Sequence, residues 1–182
     1  MRTRLLTATA LFGLMLTPAG RYAEAASPEP AAIQSTSEMH KPTPPAGPLK
    51  ITYGDQSAEW TPATLAALPH VTVAVYNEHA KASQTYSGVP LIDLLTKLGV
   101  PDKPRGKQFK LYLVAVGSDG YEVVYSLGEV APDVHDATVL VADSEDGKPI
   151  VEDGPLKMVA TGEKRPARWV RNLVAVRVLS AE

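Results

Sequence analysis

Gly154–Val178 reads GPLKMVATGEKRPARWVRNLVAVRV. An apolar run, Leu156 to Ala160, gives way to a Gly-containing turn. The turn opens a cationic segment, Lys164, Arg165, Arg168 and Arg171, with Trp169 in its middle. A second apolar run, Leu173 to Leu179, follows directly. Two strands bracketing a short turn with several guanidinium groups and one indole suit a flat, anionic ligand. Arg165, Arg168 and Arg171 recur every three residues, so a helical turn there would put them on one face, where like charges repel unless anions compensate. Those anions can be the protein's own, since Asp119 to Asp153 holds ten carboxylates and one lysine. A guanidinium fork serves an internal carboxylate or a bound anion equally well. The residues alone leave the two readings evenly matched.

Outward from that stretch, the chain reads as short strands and helices. Leu49–Tyr53 alternates and predicts a strand, with Gly54-Asp55 as its turn. Thr61-Pro62 is an N-cap followed by a first-turn proline, opening a short helix through Leu65 and Leu68 that Pro69 stops. Val71–Val75 is a β-branched strand and Asn77–Gln84 a polar loop. Tyr86-Ser87-Gly88-Val89-Pro90 starts a helix in which Leu91, Leu94, Leu95 and Leu98 fall at i, i+3, i+4 and i+7. Gly99 and Pro101 end it. Phe109–Val116 is a nearly unbroken apolar run, hence a strand covered on both faces or curling in a barrel. Ser118-Asp119-Gly120 signals a hairpin, with Tyr121–Tyr125 as the returning strand. Thr138–Ala142, Leu156–Val159 and Leu173–Leu179 are further strands. The expected fold class is α+β, a mixed, mainly β sheet or barrel-like domain of about six or seven strands with short helices.

The sequence of 182 residues contains no cysteine. Disulfides, a cysteine nucleophile, an iron–sulfur site and thiolate metal ligands are therefore excluded, and the fold must rest on its core. A net charge of −2 lacks the basic excess of a nucleic-acid binder, so no nucleic-acid partner is expected. Met1–Ala25 has the features of a secretory signal peptide: Arg2 and Arg4, an apolar stretch from Leu5 to Leu16, and the small-x-small site Ala23-Glu24-Ala25. The apolar stretch is too short to span a bilayer as a permanent helix. Thr3 separates the arginines, so the consecutive pair of a twin-arginine signal is missing, and no cysteine follows to carry a lipid. Cleavage after Ala25 removes three Arg and one Glu and moves the charge from −2 to −4. The expectation is export by the general, unfolded route to the periplasm or the exterior. Residues 26–48, rich in Pro, Ala, Ser, Thr and Glu, read as a disordered linker. Residues 49–182 remain as one folded domain.

The order of motifs resembles the molybdopterin-binding domain of the sulfite oxidase superfamily. The resemblance rests on Thr61–Pro69, Tyr86–Leu95 (YSGVPLIDLL), Asp119-Gly120-Tyr121, Asp146–Thr161 (DGKPIVEDGPLKMVAT) and the arginine segment, and it covers nearly all of Leu49–Leu179. In that family an arginine and a lysine after the Gly turn hold the pterin and its phosphate. The resemblance carries these roles to Arg168 and Arg171 within Ala167-Arg168-Trp169-Val170-Arg171. Trp169 stands where the family usually has a small or histidine side chain, and Arg171 changes the hydrogen-bonding fork of the lysine. Catalytic members bind molybdenum through a cysteine on the loop that here reads Tyr76-Asn77-Glu78-His79-Ala80-Lys81. Without cysteine, a soft metal centre lacks its thiolate.

The resemblance therefore implies the small cysteine-less periplasmic relatives, some of which bind pterins without metal and report to a membrane signalling protein. For this chain it implies an exported, non-catalytic binding protein for a pterin or molybdopterin-like anionic heterocycle, carried without molybdenum. A membrane-bound signalling or redox partner follows from the same likeness. Two alternatives stand beside it: a molybdopterin-dependent oxidoreductase with non-cysteine metal ligation, and an interaction domain that has lost its pocket. In the binding reading, Arg165, Arg168 and Arg171 neutralise the ligand, and Trp169 or Tyr86 stacks on it. Tyr76, Asn77, His79 and Tyr86 lie where the family's pocket forms, and Asp119 lies in a hairpin by its rim. Each residue also has a plainer role. A lone tryptophan is usually core, His79 suits an exposed loop, and Asp119 makes an Asp-Gly turn. Tyr121 and Tyr125 read as ordinary strand residues pointing outward. His135 between Asp133 and Asp136 gives no convergent metal set, and no nucleophile elbow is visible.

Overall fold

The structure, a computed structural model, describes residues 47–77 and 81–182. The expected signal segment 1–25, nearly all of the linker and His79 lie outside the described residues. Within them the chain runs β1 (Leu49–Tyr53), β2 (Gln56–Trp60), α1 (Pro62–Ala66), β3 (Val71–Asn77), β4 (Ala82–Pro90), α2 (Leu91–Thr96), β5 (Leu111–Gly117) and β6 (Glu122–Ser126). It continues through α3 (Leu127–Val130), β7 (Val139–Glu145), β8 (Lys148–Pro149), β9 (Lys157–Ala160) and β10 (Leu173–Ser180). The class is the α+β, mainly β arrangement expected from the sequence, with the strands shared between two sheets. One has the order β2-β1-β10-β5-β6. The other has the order β3-β4-β7-β8, with β9 also paired to β7. β1 and β10 run parallel, Lys50 opposite Ala175, which makes the first sheet mixed. A bridge between Met158 and Val170 joins β9 to the approach of β10.

The main core contains Leu49, Ile51, Leu113 and Val176 from the first sheet, Val141 and Met158 from the second, and Leu94 and Leu95 of α2. A smaller cluster of Tyr86, Leu140, Ala142, Ile150 and Val159 comes from the second sheet and its β8–β9 connection. Met158 and Val159 are neighbours on β9 and belong to different clusters, as the period of two in a strand requires. Trp169 packs against both. The second sheet therefore buries apolar side chains on two faces, and the smaller cluster is the foundation of the site described below.

Several local expectations change for physical reasons. Tyr86–Pro90 belongs to β4, and the helix begins only at Leu91. Gly88 lies at a register shift between β4 and β7, where a Cβ would meet the Val141 carbonyl oxygen at 2.1 Å. The YSGVP motif is thus a strand requiring glycine for close backbone approach. The polar stretch from Asn77 to Gln84 contributes both ends of a β-hairpin, with Tyr76 opposite Ser83 and Asn77 opposite Ala82. Ladder hydrogen bonds do not need apolar side chains at an edge. β2 was missed because QSAEW offers a single large apolar residue, the buried Trp60. α3 is announced by a capping box instead of periodicity: Ser126 and Glu129 satisfy each other's backbone N–H groups. α1 forms as its cap predicts, the Thr61 hydroxyl accepting from the Thr64 N–H at 3.2 Å.

Candidate functional site

Three turns gather around the second sheet. Asp146 and Gly147, at φ 49° and 75°, make the two-residue turn between β7 and β8. Asp146 Oδ1 also accepts from the Thr85 N–H at 2.8 Å and from its hydroxyl at 3.0 Å, fixing the turn to β4. Before β9, Gly154 adopts φ 80°, and a Cβ there would meet the Asn172 side chain at 2.4 Å. Asn172, at φ 44°, donates its backbone N–H to the Asp153 carbonyl at 2.5 Å and its amide to Ser118 Oγ at 2.7 Å. The segment before β10 is thereby tied to the turn before β9 and to the β5–β6 hairpin.

These turns bound a cavity of about 600 Å³ over the smaller apolar cluster. At its floor the Tyr86 and Trp169 rings meet edge to face, centroids 5.4 Å apart and planes at 86°. The indole N–H donates to the Ala160 carbonyl at 3.1 Å, which fixes the ring against β9. Lys157, only 8% exposed, places Nζ 5.0 Å from the Tyr86 centroid and 5.4 Å from that of Trp169. Its charge is answered by Asp153, Nζ to Oδ2 2.5 Å, and Asp153 Oδ1 also receives Arg171 Nε at 3.2 Å. A polar row completes the floor. The Tyr86 hydroxyl donates to Glu145 Oε1 at 3.0 Å, Gln84 Nε2 donates to the same oxygen at 2.7 Å, and Asn77 Nδ2 donates to Gln84 Oε1 at 2.7 Å. Burial, reinforced by Glu145, raises the Tyr86 phenol well above its ordinary value, so it remains a hydroxyl donor.

A second cavity of about 940 Å³ adjoins the first and shares Asn77, Pro166 and Trp169 with it. Tyr76, 58% exposed, and the cations Lys164 and Arg165 line this second space.

The structure thus brings Asn77, Tyr86, Trp169 and Arg171 to the first cavity and Tyr76 and Arg165 to the second. Arg168 and Asp119 line neither. Arg168 instead holds the fold together. Its Nη2 meets Glu163 and Glu129, the latter at 3.0 Å, and its guanidinium lies 4.5 Å from the Tyr125 centroid. The hydrogen bonds it donates to Glu163, reinforced by that to Glu129, raise its already high pKa. Glu129 is pushed up by burial, but the Ser126 backbone and Arg168 outweigh this and lower it. Of the two readings of the arginine turn, internal pairing describes Arg168. Asp119 accepts the Tyr121 N–H at 2.9 Å and serves its turn. Tyr125 is buried, not outward, because β6 directs its odd-numbered residues into the core. Its hydroxyl donates to the Arg168 carbonyl at 2.7 Å, and the Tyr121 hydroxyl donates to the Ala167 carbonyl. These two tyrosines pin the 3₁₀ turn Pro166–Arg168 and so place Trp169.

Sequence reasoning missed Lys157, Glu145, Gln84 and Asp153. A signal existed for Lys157: a lysine inside a five-residue run otherwise apolar, LKMVA, is rarely buried without a partner.

The architecture is a mixed α+β domain, mainly β. By fold the chain is similar to the sulfane dehydrogenase SoxCD from Paracoccus pantotrophus, with a TM-score of 0.57 and 20% sequence identity over 74% of this chain. It spans 38% of that chain's length. No protein-family profile and no curated protein matches the sequence.

Proposed function

We propose that this domain is a binding module for a flat heterocycle with a donor-rich edge and an anionic substituent, a pterin or the organic part of molybdopterin. The observation that carries this reading is the composition of one cavity floor. An indole and a phenol meet there around an ammonium group, beside a row of fixed amide and carboxylate groups. Glu145 Oε2 has no protein partner among the described residues and can accept the adjacent N–H groups of an aminopyrimidinone edge, while Trp169 offers the apolar surface. Lys148 and the terminal nitrogens of Arg171, whose side chain is 71% exposed, are available to a carboxylate or phosphate at the mouth.

The donor set fits the pterin and not its metal. The chain has no cysteine, and among the described residues no three His, Asp or Glu side chains converge. In this reading a pterin held without a metal serves as a bound signal. The sequence features of Met1–Ala25 support placing that signal outside the cytoplasm, and in this reading a membrane-bound partner receives it. Titration with fluorescent 6-carboxypterin tests the binding reading. Saturable quenching is expected, weakened roughly tenfold or more in Trp169→Ala through lost stacking. An unsaturable response overturns it. Molybdenum bound in stoichiometric amount by protein from cofactor-producing cells would favour the oxidoreductase alternative instead.

A further inference from the structure

Among the described residues β3 is the end strand of its sheet, paired only with β4. Its sequence, VTVAVYN, is strongly β-prone and carries no charge, and none of its residues is buried. Edge strands are normally protected by charge, proline, a bulge or shortness. This one has seven residues and pairs with β4 without a register shift. It offers about 23 Å of backbone edge.

The second cavity lies against this strand. Ala74, Val75, Tyr76 and Asn77 all line it, and consecutive residues point to opposite faces, so the cavity takes in the strand's edge and not one face alone. The opposite bank is the turn from Thr161 to Pro166. Glu163 of that turn is engaged by Arg168, while Lys164 and Arg165 form no ion pair among the described residues. The space between an open strand edge and a cationic bank has a definite chemistry: main-chain hydrogen bonding on one side and attraction for carboxylates on the other.

We propose that β3 and the Thr161–Pro166 turn form a docking groove for an extended acidic peptide of a partner protein, which adds to the second sheet as a strand beyond β3. Main-chain bonds to β3 supply affinity, and Lys164 and Arg165 select acidic side chains. Tyr76 and Trp169 offer apolar contact to the residues between them.

The test uses the full chain and a fluorescein-labelled, end-blocked hexapeptide of alternating glutamate and valine. Saturable anisotropy is expected, with no saturation by the lysine–valine counterpart. Methylating alternate peptide nitrogens should abolish binding. Lys164→Glu combined with Arg165→Glu should weaken it roughly tenfold, as two exposed charge contacts allow, and Lys164→Arg with Arg165→Lys should restore it. Amide exchange within Val71–Asn77 should slow when the peptide binds. These readouts do not depend on a pterin, so this proposal and the binding reading of the first cavity can fail separately. Failure of the acidic peptide to bind, or binding indifferent to charge reversal or to N-methylation, overturns the proposal. So does protection, in the free protein, of the β3 amides that point away from β4, which would mean the chain's own residues or a second copy cover the edge.

Discussion

Lys157 and Asp153 form a close ion pair, Nζ to Oδ2 2.5 Å, beneath the joined rings of Tyr86 and Trp169. The lysine side chain is nearly excluded from solvent, and the aspartate keeps a second contact to Arg171. Removing one partner of such a pair leaves a charge in a poorly hydrated place. Lys157→Met should lower unfolding free energy by roughly 3 kcal/mol in urea titration. The double variant Lys157→Met, Asp153→Leu should recover much of that loss while still failing to bind 6-carboxypterin. Recovery of stability without binding separates the pair's structural contribution from its place in the cavity.

Arg168 offers the opposite test. It joins Glu129, Glu163 and the Tyr125 ring and lines neither cavity. Arg168→Met should cost roughly 1–2 kcal/mol of stability, allowing for a guanidinium partly open to solvent. The affinity for 6-carboxypterin, measured below the new unfolding transition, should change by less than about threefold, a small fraction of the loss expected of a direct charge-assisted contact.

Gly88→Ala should be among the most damaging single-methyl additions. The new Cβ would lie 2.1 Å from the Val141 carbonyl oxygen and 2.5 Å from the Ala142 Cα, both backbone atoms within the sheet. Separation of β4 from β7 is the only relief, and a loss of about 3 kcal/mol or more is expected in thermal or chemical denaturation. Gly47→Ala, with nothing near its Cβ, is the matched control and should be neutral.

His70 gives the protein a pH dependence. Nδ1 faces the Leu68 carbonyl at 2.6 Å and Nε2 faces Asp143 Oδ2 at 2.8 Å, so both ring nitrogens meet acceptors, an arrangement that favours the imidazolium. The Asp143 hydrogen bond raises the imidazole above its ordinary 6.5, against a smaller opposing effect of burial. A histidine raised on folding stabilises fully below its unfolded value and ceases to do so as pH rises through the folded one. Stability should therefore fall by roughly 1–2 kcal/mol from about pH 6 to pH 9. In His70→Phe the decline over that window should largely disappear.

How much of this was legible in the sequence differs by physical cause. The α+β class, α1 and the β5–β6 hairpin follow from periodicity, a threonine–proline cap and an Asp-Gly turn, all local signals. β2 was invisible because its pairing with β1 rests on backbone bonds, Leu49 opposite Trp60 through Tyr53 opposite Gln56, and not on side-chain pattern. At the site, the aromatic pair and Arg171 were readable as residue types, while their joint placement was not. The carboxylates Glu129 and Glu163 that claim Arg168 lie in different elements, and no spacing rule connects 129 with 168. Lys157 is hidden inside the apolar run Leu156 to Ala160, whose pattern reads as a strand.

The first sheet is closed by the strand that comes last in its chain order. β10 is inserted between β1 and β5, pairing with Lys50 through Tyr53 on one side and with Leu111 through Gly117 on the other. A ribosome delivers β1, β2, β5 and β6 before the strand that must separate and join them. Until then the β1–β2 and β5–β6 pairs have no strand to join them. Such long-range pairing is slow. β10 is the keystone of this sheet, and the two halves on either side of it stay unjoined until that strand has been made.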